Sequence, residues 1–204
     1  MNGRRRILLA TAGAILAPWI SGCDKLAQLA GKPVFHSTDI TGAEFARHLD
    51  LPDADGRMRS LADWRGKVTV VFFGYMQCPD VCPTTMAELA GLRKSLGAQG
   101  DRLQTVFVTI DPERDTAELL KAYVSNFGPG VTALRGSAEQ TAAAAKEFKV
   151  FFQKVPGKTP GNYTMDHSAA SFVFDTSGKA RLYVQYGGDP KGFAADIRQL
   201  VAAG

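Results

Sequence analysis

The chain has 204 residues, of which 45% are hydrophobic and 22% are charged. This length and composition are typical of one ordinary globular domain with a short appendage, and they exclude disordered and collagen-like proteins. The formal net charge is +4, but Arg4, Arg5 and Arg6 account for three of the 24 basic residues. The remainder carries 21 basic and 20 acidic residues, so the charge balance gives no support for a nucleic-acid partner.

Residues 1–22 have the layout of a secretory signal peptide. The arginine cluster precedes an apolar stretch over residues 7–20, which is shorter than the roughly 18 residues of a membrane-spanning helix. Ile20-Ser21-Gly22-Cys23 resembles the bacterial lipobox, in which cleavage precedes a cysteine that then carries lipid. We therefore expect Cys23 to be lipidated. The alternatives are a buried cysteine behind a plain signal and an uncleaved anchor.

The sequence after the signal divides into a tether and a domain. Residues 23–39 are interpreted as the lipid anchor and tether, and residues 40–204 as the folded domain. Asp24 resembles a signal for retention on the bacterial inner membrane, so the expected location is the periplasmic side of that membrane. The arginine run fits a twin-arginine signal as well as the general export route, and the sequence leaves this choice open.

The first half of the domain contains a turn signal and two strongly apolar runs. Residues 45–51 and 58–60 flank the turn sequence of residues 53–56, which predicts an N-terminal β-hairpin. Residues 68–74 and 106–110 are rich in β-branched and aromatic residues, which predicts two buried strands of a parallel or mixed sheet. Between them, Leu89, Leu92 and Leu96 recur at helical spacing, with Gly97 as a stop signal.

The second half of the domain alternates capping and turn signals with apolar segments. In chain order, the predicted elements are a helix opened by Asp115 with Glu118, a short strand, a helix opened by Ser137 with Gln140, a loop over residues 156–162, strands over residues 171–175 and 180–186, and a C-terminal helix begun at Asp189 and Pro190. The complete order predicts an α/β fold, a thioredoxin-like sandwich with an N-terminal β-hairpin and an inserted loop before the histidine-bearing segment.

Cys78 and Cys82 lie between the first buried strand and the helix that follows it. Pro79 and Pro83 disfavour helical angles in the residues before them, so we expect the helix to begin at Pro83 with both sulfurs on the turn at its N-terminus. The positive end of a helix favours a thiolate over a thiol. Two thiolates select soft ions such as Cu(I), although a Cys-x₃-Cys pair also occurs as a structural disulfide or as two buried thiols.

His167 is the candidate third ligand among the chain's three histidines. His36 falls in the predicted tether and His48 in the predicted hairpin. In a thioredoxin-like fold, the loop before the strand of residues 171–175 lies next to the turn that carries the cysteines. An imidazole there adds a donor that suits Cu(II) as well. The alternative is a partly exposed histidine that caps a loop.

Three separated motifs resemble the Sco/SenC family of copper proteins, and the resemblance extends from about Ile40 to the C-terminus. The motifs are Phe72-Phe73-Gly74-Tyr75 through Cys78-Pro79-Asp80-Val81-Cys82-Pro83-Thr84-Thr85-Met86-Ala87-Glu88-Leu89, then Ile110-Asp111-Pro112-Glu113-Arg114-Asp115-Thr116, then Asp166-His167-Ser168-Ala169. The resemblance implies that Cys78, Cys82 and His167 bind one Cu(I) or Cu(II). Met76 and Gln77 stand where many members have Thr and His, which removes a possible auxiliary imidazole beside Cys78.

The same resemblance implies a function and a set of partners. It indicates a metallochaperone for the CuA centre of cytochrome c oxidase, so the expected partner is the CuA subunit. Other periplasmic copper chaperones and thioredoxin-like reductases are further expected partners. The Cys78 and Cys82 pair is expected to act as a redox gate, because the dithiol loads copper and the disulfide does not. The alternative function is a thiol-disulfide oxidoreductase that reduces the cysteines of the oxidase copper site.

Two carboxylates are candidates for supporting the ligands. Asp111 ends a buried strand, where its side chain either faces the cysteines or fixes the turn before the next helix. Asp166 either orients the imidazole or is simply solvated. Covalent haem attachment is excluded because it needs Cys-x₂-Cys-His, and structural zinc is disfavoured because only three good ligands exist.

Overall fold

The structure is a computed structural model that describes residues 34–159 and 162–204. The predicted signal peptide, Cys23 and most of the predicted tether lie outside the described residues. The folded unit comprises Phe35–Gly204. Across the two described ranges, none of the helices combines the length and the apolar character needed to cross a membrane.

A mixed β-sheet forms the centre of this unit. The strands of the described residues are β1 (Thr38–Asp39), β2 (Leu51–Pro52), β3 (Met58–Arg59), β4 (Val68–Gly74), β5 (Leu103–Thr109), β6 (Val131–Leu134), β7 (Phe152–Pro156), β8 (Tyr163–His167), β9 (Ala170–Phe174) and β10 (Ala180–Gln185). The α-helices are α1 (Val81–Ser95), α2 (Ala117–Ser125), α3 (Ala138–Glu147) and α4 (Pro190–Ala203). Six strands pair in the order β1-β10-β9-β4-β5-β6, in which β4, β5 and β6 are parallel and the other pairs are antiparallel.

Helices cover both faces of the central sheet. Val68 and Val70 of β4 belong to one core with residues of α1 and α4, whereas Val71 and Phe73 belong to another with residues of α3. All seven residues of β4 are buried, which explains why its sequence is apolar except for Thr69. This layering is the α/β sandwich that the sequence predicts.

The predicted N-terminal hairpin is present but shorter than expected. β2 and β3 pair in antiparallel register, and the Asp53 carboxylate accepts backbone N–H groups of Asp55 and Arg57 within the turn. Residues 45–50 form no strand, because Ala46 has a φ of 54° and donates its N–H to the carbonyl of Glu147. Contacts with the end of α3 replace the expected pairing.

Helix starts follow the capping signals in part. Ser137 and Gln140 form the predicted capping box of α3, and the Asp189 carboxylate accepts two N–H groups in the first turn of α4. The predicted start of α2 is wrong. Thr116 is its N-cap, and the predicted cap Asp115 is fully buried instead.

The segment around the predicted loop of residues 156–162 is part of a β-hairpin. β7 and β8 pair antiparallel, with Phe152 opposite His167. Most residues of β7 are exposed, so its sequence lacks the apolar run that marks a buried strand. The insertion before the histidine therefore contains two paired strands, β7 and β8, which we call the histidine hairpin.

The chain joins the folded unit earlier than the expected boundary at Ile40. The N–H groups of His36 and Ser37 donate to the buried carboxylate of Asp196 in α4, at 2.9 and 2.8 Å. Thr38 and Asp39 then pair with β10 at the sheet edge. Residues that the sequence places in the tether thus contact the C-terminal helix.

Candidate metal centre

The two predicted sulfur ligands lie where β4 passes into α1. β4 ends at Gly74, and Cys78 lies on the turn that follows. α1 begins at Val81, so the predicted start at Pro83 is wrong, and Cys82 already belongs to the first helical turn. Pro83 is tolerated here because the N–H groups of the first helical turn have no intrahelical acceptor, so the N–H that proline lacks costs no hydrogen bond. Cys82 is therefore fixed by the helix and Cys78 by the turn.

Both cysteines are free thiols, with Cys78 half-buried and Cys82 fully buried. The two thiols are close enough for each to influence the protonation of the other, and the backbone of Tyr75 lies next to the Cys82 sulfur. Gly74 leaves room for this sulfur, since a Cβ atom at residue 74 would lie 2.9 Å from Cys82 Sγ. The structure thus brings the two cysteines together.

Burial controls the protonation of Cys82. Burial raises the pKa of the Cys82 thiol well above its ordinary value, although the nearby backbone N–H of Tyr75 lowers it. The expectation that the helix N-terminus favours the thiolate is therefore wrong for Cys82 in the metal-free protein. A metal ion bound at this sulfur has to displace a proton.

His167 is the last residue of β8 and contacts the other side of Tyr75. The two rings meet edge to face, with centroids 5.9 Å apart and planes at 82°. Nε2 of His167 is buried and has no hydrogen-bond partner among the described residues. Burial lowers the pKa of the imidazole. This effect outweighs the backbone interactions with Met165 and Phe73 and the negative charge of Asp166, all of which raise the pKa. Burial thus favours the neutral form of the ring, whose Nε2 has no partner among the described residues.

The imidazole and the sulfur pair are neighbours without forming one coordination sphere. Within residues 34–159 and 162–204, no three His, Cys, Asp or Glu side chains lie close enough together to hold a metal ion. Both Cys82 and His167 contact Tyr75, through its backbone and its ring respectively. The assignment of Cys78, Cys82 and His167 as a three-ligand set stays a prediction.

The carboxylates named from the sequence do not face the cysteines. Asp111 accepts hydrogen bonds from the Tyr163 hydroxyl, at 2.8 Å, and from Nε of Arg114. Its carbonyl also accepts the N–H of Arg114, so it fixes the turn before α2. Asp166 is exposed and precedes His167 on the strand, so the two side chains point to opposite faces of β8. Of the alternatives that the sequence leaves open, Asp111 therefore has the one that fixes the turn and Asp166 the solvated one.

Asp115 is the carboxylate that the sequence interpretation misses. Its Oδ2 accepts the Thr109 hydroxyl at 2.6 Å and the Met76 N–H at 3.2 Å, next to the cysteine turn. Burial raises its pKa, and its charge contributes to the raised pKa of Cys82. The sequence contains a signal for this, because Thr116 is also a favoured capping residue and leaves Asp115 free for another role.

Unpartnered polar atoms are concentrated around the cysteines. Five buried side-chain polar atoms lack a hydrogen-bond partner in the described part of the chain. Four of them surround the cysteine turn: Arg114 Nη2, Asp115 Oδ1, Tyr123 OH and His167 Nε2. Because buried polar groups are normally paired, this concentration fits a region that engages a further group in function. Two thiols beside an imidazole nitrogen suit a soft transition metal.

Comparison with known proteins relates the chain to one family. The family model described as SCO1/SenC matches residues 37–202. The mouse protein SCO2 homolog, mitochondrial, is 34% identical over 157 residues, which cover 76% of this chain and 62% of that protein. The copper-bound structure of Bradyrhizobium japonicum ScoI is 35% identical, with a TM-score of 0.67 over 75% of this chain and 97% of that one.

A metal-free relative matches equally well. The apo Sco1 protein of Thermus thermophilus is 33% identical, with a TM-score of 0.73 over 83% of this chain and 99% of that one. These likenesses confirm the predicted α/β, thioredoxin-like fold. The chain spans about three-fifths of the length of the mammalian relatives that it matches, 62% and 59% for the mouse and bovine proteins. The family match covers most of the chain, and the protein is therefore a member of the SCO1/SenC family.

Proposed function

We propose that this protein binds one copper ion, Cu(I) or Cu(II), through Cys78, Cys82 and His167, and delivers it to the CuA site of cytochrome c oxidase during assembly. The main support is the pair of adjacent free thiols beside an unpartnered imidazole nitrogen. Family membership supports copper as the metal, because ScoI of Bradyrhizobium japonicum and Sco1 of yeast have copper-bound structures.

The geometry suggests how copper is acquired. Cys78 is the more accessible sulfur, so it makes the first contact with incoming copper. The ion then replaces the proton of the buried Cys82 thiol, which burial keeps protonated until that point. His167 closes the site when the histidine hairpin moves toward the sulfur pair. Release to the partner reverses this order through shared sulfur ligands, and a Cys78 to Cys82 disulfide blocks loading.

A copper titration of the reduced full-length protein in detergent tests the proposal. We expect one equivalent of copper and a Cu(II)-thiolate charge-transfer band in the ultraviolet-visible spectrum. Cys78→Ser, Cys82→Ser and His167→Ala should each abolish this band. Cu(I) affinity measured against a competing chelator should be tighter than micromolar, because two thiolates coordinate the ion. Micromolar or weaker binding in the wild type contradicts the proposal.

A thiol-disulfide reductase is the second candidate function. The observation in its favour is that a half-buried Cys78 lies beside a buried Cys82, the arrangement of an attacking and a resolving cysteine. His167→Ala distinguishes the two functions. It should remove Cu(II) binding and leave dithiol exchange with a small disulfide nearly unchanged if copper delivery is the main role. Equal loss of both activities contradicts the role proposed for His167.

The proposed setting is the periplasmic side of the bacterial inner membrane, with the protein held there by lipid on Cys23. The support is the signal-peptide layout of residues 1–22 and the lipobox-like sequence that ends at Cys23. The proposed partners are the CuA subunit and periplasmic copper chaperones or thioredoxin-like reductases. Fractionation of cells that express Cys23→Ala tests the anchor, and a variant that still sediments with membranes argues against it.

A further inference from the structure

Arg114 lies between the cysteine turn and the histidine hairpin and bonds to both. Its Nη1 donates to Oε1 of Gln77 at 3.0 Å, beside Cys78, and to the carbonyl of Tyr163 at 2.8 Å, at the start of β8. Its Nε donates to the Asp111 carboxylate. The arginine side chain is 18% exposed, and its bonds to Asp111 and Tyr163 are partly buried, whereas its bond to Gln77 lies at the surface. One guanidinium therefore connects three separate segments.

Tyr163 completes this arrangement. The guanidinium of Arg114 lies 3.6 Å from the centroid of the Tyr163 ring, and the Tyr163 hydroxyl donates to Asp111 at 2.8 Å. Arginine presents a planar fork that both stacks on an aromatic ring and donates in fixed directions, which lysine does not. Tyr163 begins the strand that ends at His167. A fixed Tyr163 therefore constrains the position of the imidazole.

The hairpin also makes other contacts with its neighbours. Lys154 forms an ion pair with Glu113 at 2.5 Å, but the two side chains are 45% and 63% exposed. Exposed ion pairs contribute little to stability. The ring of Tyr75 contacts the ring of His167, and the Tyr75 hydroxyl accepts the N–H of Met165. Arg114 supplies hydrogen bonds that reach the cysteine turn and the histidine hairpin from the same group.

We propose that Arg114 is a positioning residue for copper binding: it holds the histidine hairpin against the cysteine turn, so that the imidazole of His167 needs only a short movement to join the two sulfurs. This inference rests on the proposed function. Without Arg114 the hairpin samples more positions, and the local concentration of the imidazole at the sulfur pair falls. Cu(II) affinity then falls more than Cu(I) affinity, because the softer Cu(I) is held mainly by the two thiolates, whereas Cu(II) depends more on the imidazole.

The first test needs no copper. Hydrogen–deuterium exchange of the reduced full-length protein in detergent is followed for peptides of the histidine hairpin. Arg114→Ala and Gln77→Leu should each accelerate exchange in residues 152–167 by roughly fivefold or more, with β4 and β5 unchanged. Gln77→Glu keeps an acceptor for the guanidinium and should behave like the wild type. The matched control Glu113→Gln removes the exposed ion pair with Lys154 but leaves the Lys154 contact with the Tyr163 ring in place, and should change exchange less than about twofold.

The second test measures copper affinity by competition with chelators in both oxidation states. Arg114→Ala and Gln77→Leu should weaken Cu(II) binding by about tenfold or more, as is typical when a residue that supports a metal ligand is removed. Cu(I) binding should change less than about threefold in the same proteins. Gln77 is exposed, so its variants are expected to fold even if Arg114→Ala does not.

The outcomes separate this inference from the proposed function. A wild type that binds neither form of copper contradicts the proposed function, while the exchange data still decide whether Arg114 restrains the hairpin. Unchanged hairpin exchange in Gln77→Leu overturns the inference. So does a loss of Cu(I) and Cu(II) affinity in equal proportion, because that pattern indicates general damage to the site.

Discussion

The rings of Tyr75 and His167 meet edge to face, with centroids 5.9 Å apart, and this contact joins the cysteine turn to the histidine hairpin. The same tyrosine contacts Cys82 through its backbone N–H and receives the N–H of Met165 at its hydroxyl. Its side chain is 3% exposed. Tyr75 therefore lies between the two parts of the candidate copper site and touches a residue of each.

Replacement of Tyr75 should affect stability and copper binding together. Tyr75→Leu removes the ring contact and should lower the free energy of unfolding by about 2 kcal/mol, because a large buried aromatic side chain is lost. Cu(II) affinity should fall roughly tenfold as His167 loses its neighbour. Tyr75→Phe keeps the ring and should retain most of the affinity. Denaturant unfolding and chelator competition measure both effects, and equal affinities for the Leu and Phe variants contradict this role.

Gly74 should be essential because of the space that it leaves. An added Cβ atom would lie 2.9 Å from Cys82 Sγ and 3.0 Å from Cε2 of Phe107, so neighbouring groups must shift. Gly74→Ala should cost about 1 to 3 kcal/mol of stability, as overpacking of a close-packed core does. Cu(I) affinity should also fall, since the buried sulfur is displaced.

Gly91 provides a matched control for this substitution. It lies within α1 with no neighbour inside 4 Å of an added Cβ atom. Gly91→Ala should therefore stabilise the protein by about 0.5 to 1 kcal/mol through helix propensity, with copper affinity unchanged. Thermal unfolding and Cu(I) competition of the two variants test the pair. A Gly74→Ala protein that is as stable as the wild type contradicts the prediction, because it shows that the groups around the end of β4 can make room for a methyl group.

The parts of the fold that the sequence predicts are those with a local cause. β4 is recognised because burial on both faces requires an uninterrupted apolar run, and α3 because Ser137 and Gln140 satisfy its first N–H groups. β7 and β8 escape prediction because most residues of β7 face solvent and only one residue of β8 is fully buried, so no apolar run marks either strand. Exposed hairpins are stabilised by pairing, which single segments do not encode.

The candidate site is predictable to the same extent. Cys78 and Cys82 lie close together in the sequence, and their spacing alone brings the sulfurs near each other. The position of His167 depends instead on the Arg114 contacts with Gln77 and Tyr163, which join three segments that are distant in sequence. Short-range patterns carry no information about such contacts. The raised pKa of Cys82 likewise follows from burial in the assembled core, which outweighs the local effect of the helix terminus.

Asp115 should make stability depend on pH in a characteristic direction. Burial raises its pKa, so the folded protein binds this proton more tightly than the unfolded chain does. Its contribution is favourable below the unfolded pKa of about 3.9 and is lost as the pH rises through the folded pKa. Asp115→Asn removes this titration. The stability of the wild type relative to this variant should therefore decline as the pH rises above about 4, as measured by urea unfolding of the reduced, metal-free protein.

Asp196 is equally buried but should show the opposite pH dependence. Burial alone raises its pKa, but hydrogen bonds from the N–H groups of His36 and Ser37 outweigh burial and hold the pKa below its usual range. Stabilisation by this carboxylate is present above the unfolded pKa and is lost as the pH falls through the folded one. Asp196→Asn leaves one acceptor oxygen instead of two. Its amide N–H₂ group then faces a backbone N–H of residue 36 or 37, so two donors oppose each other. The substitution should lower the free energy of unfolding by about 2 kcal/mol at pH 7, and this cost should shrink below about pH 4.

Asp166→Asn is an exposed control, and its free energy of unfolding should stay within about 0.5 kcal/mol of the wild type at either pH. An Asp196→Asn cost that is constant with pH shows that the ionised carboxylate is not what holds residues 36 and 37 against α4.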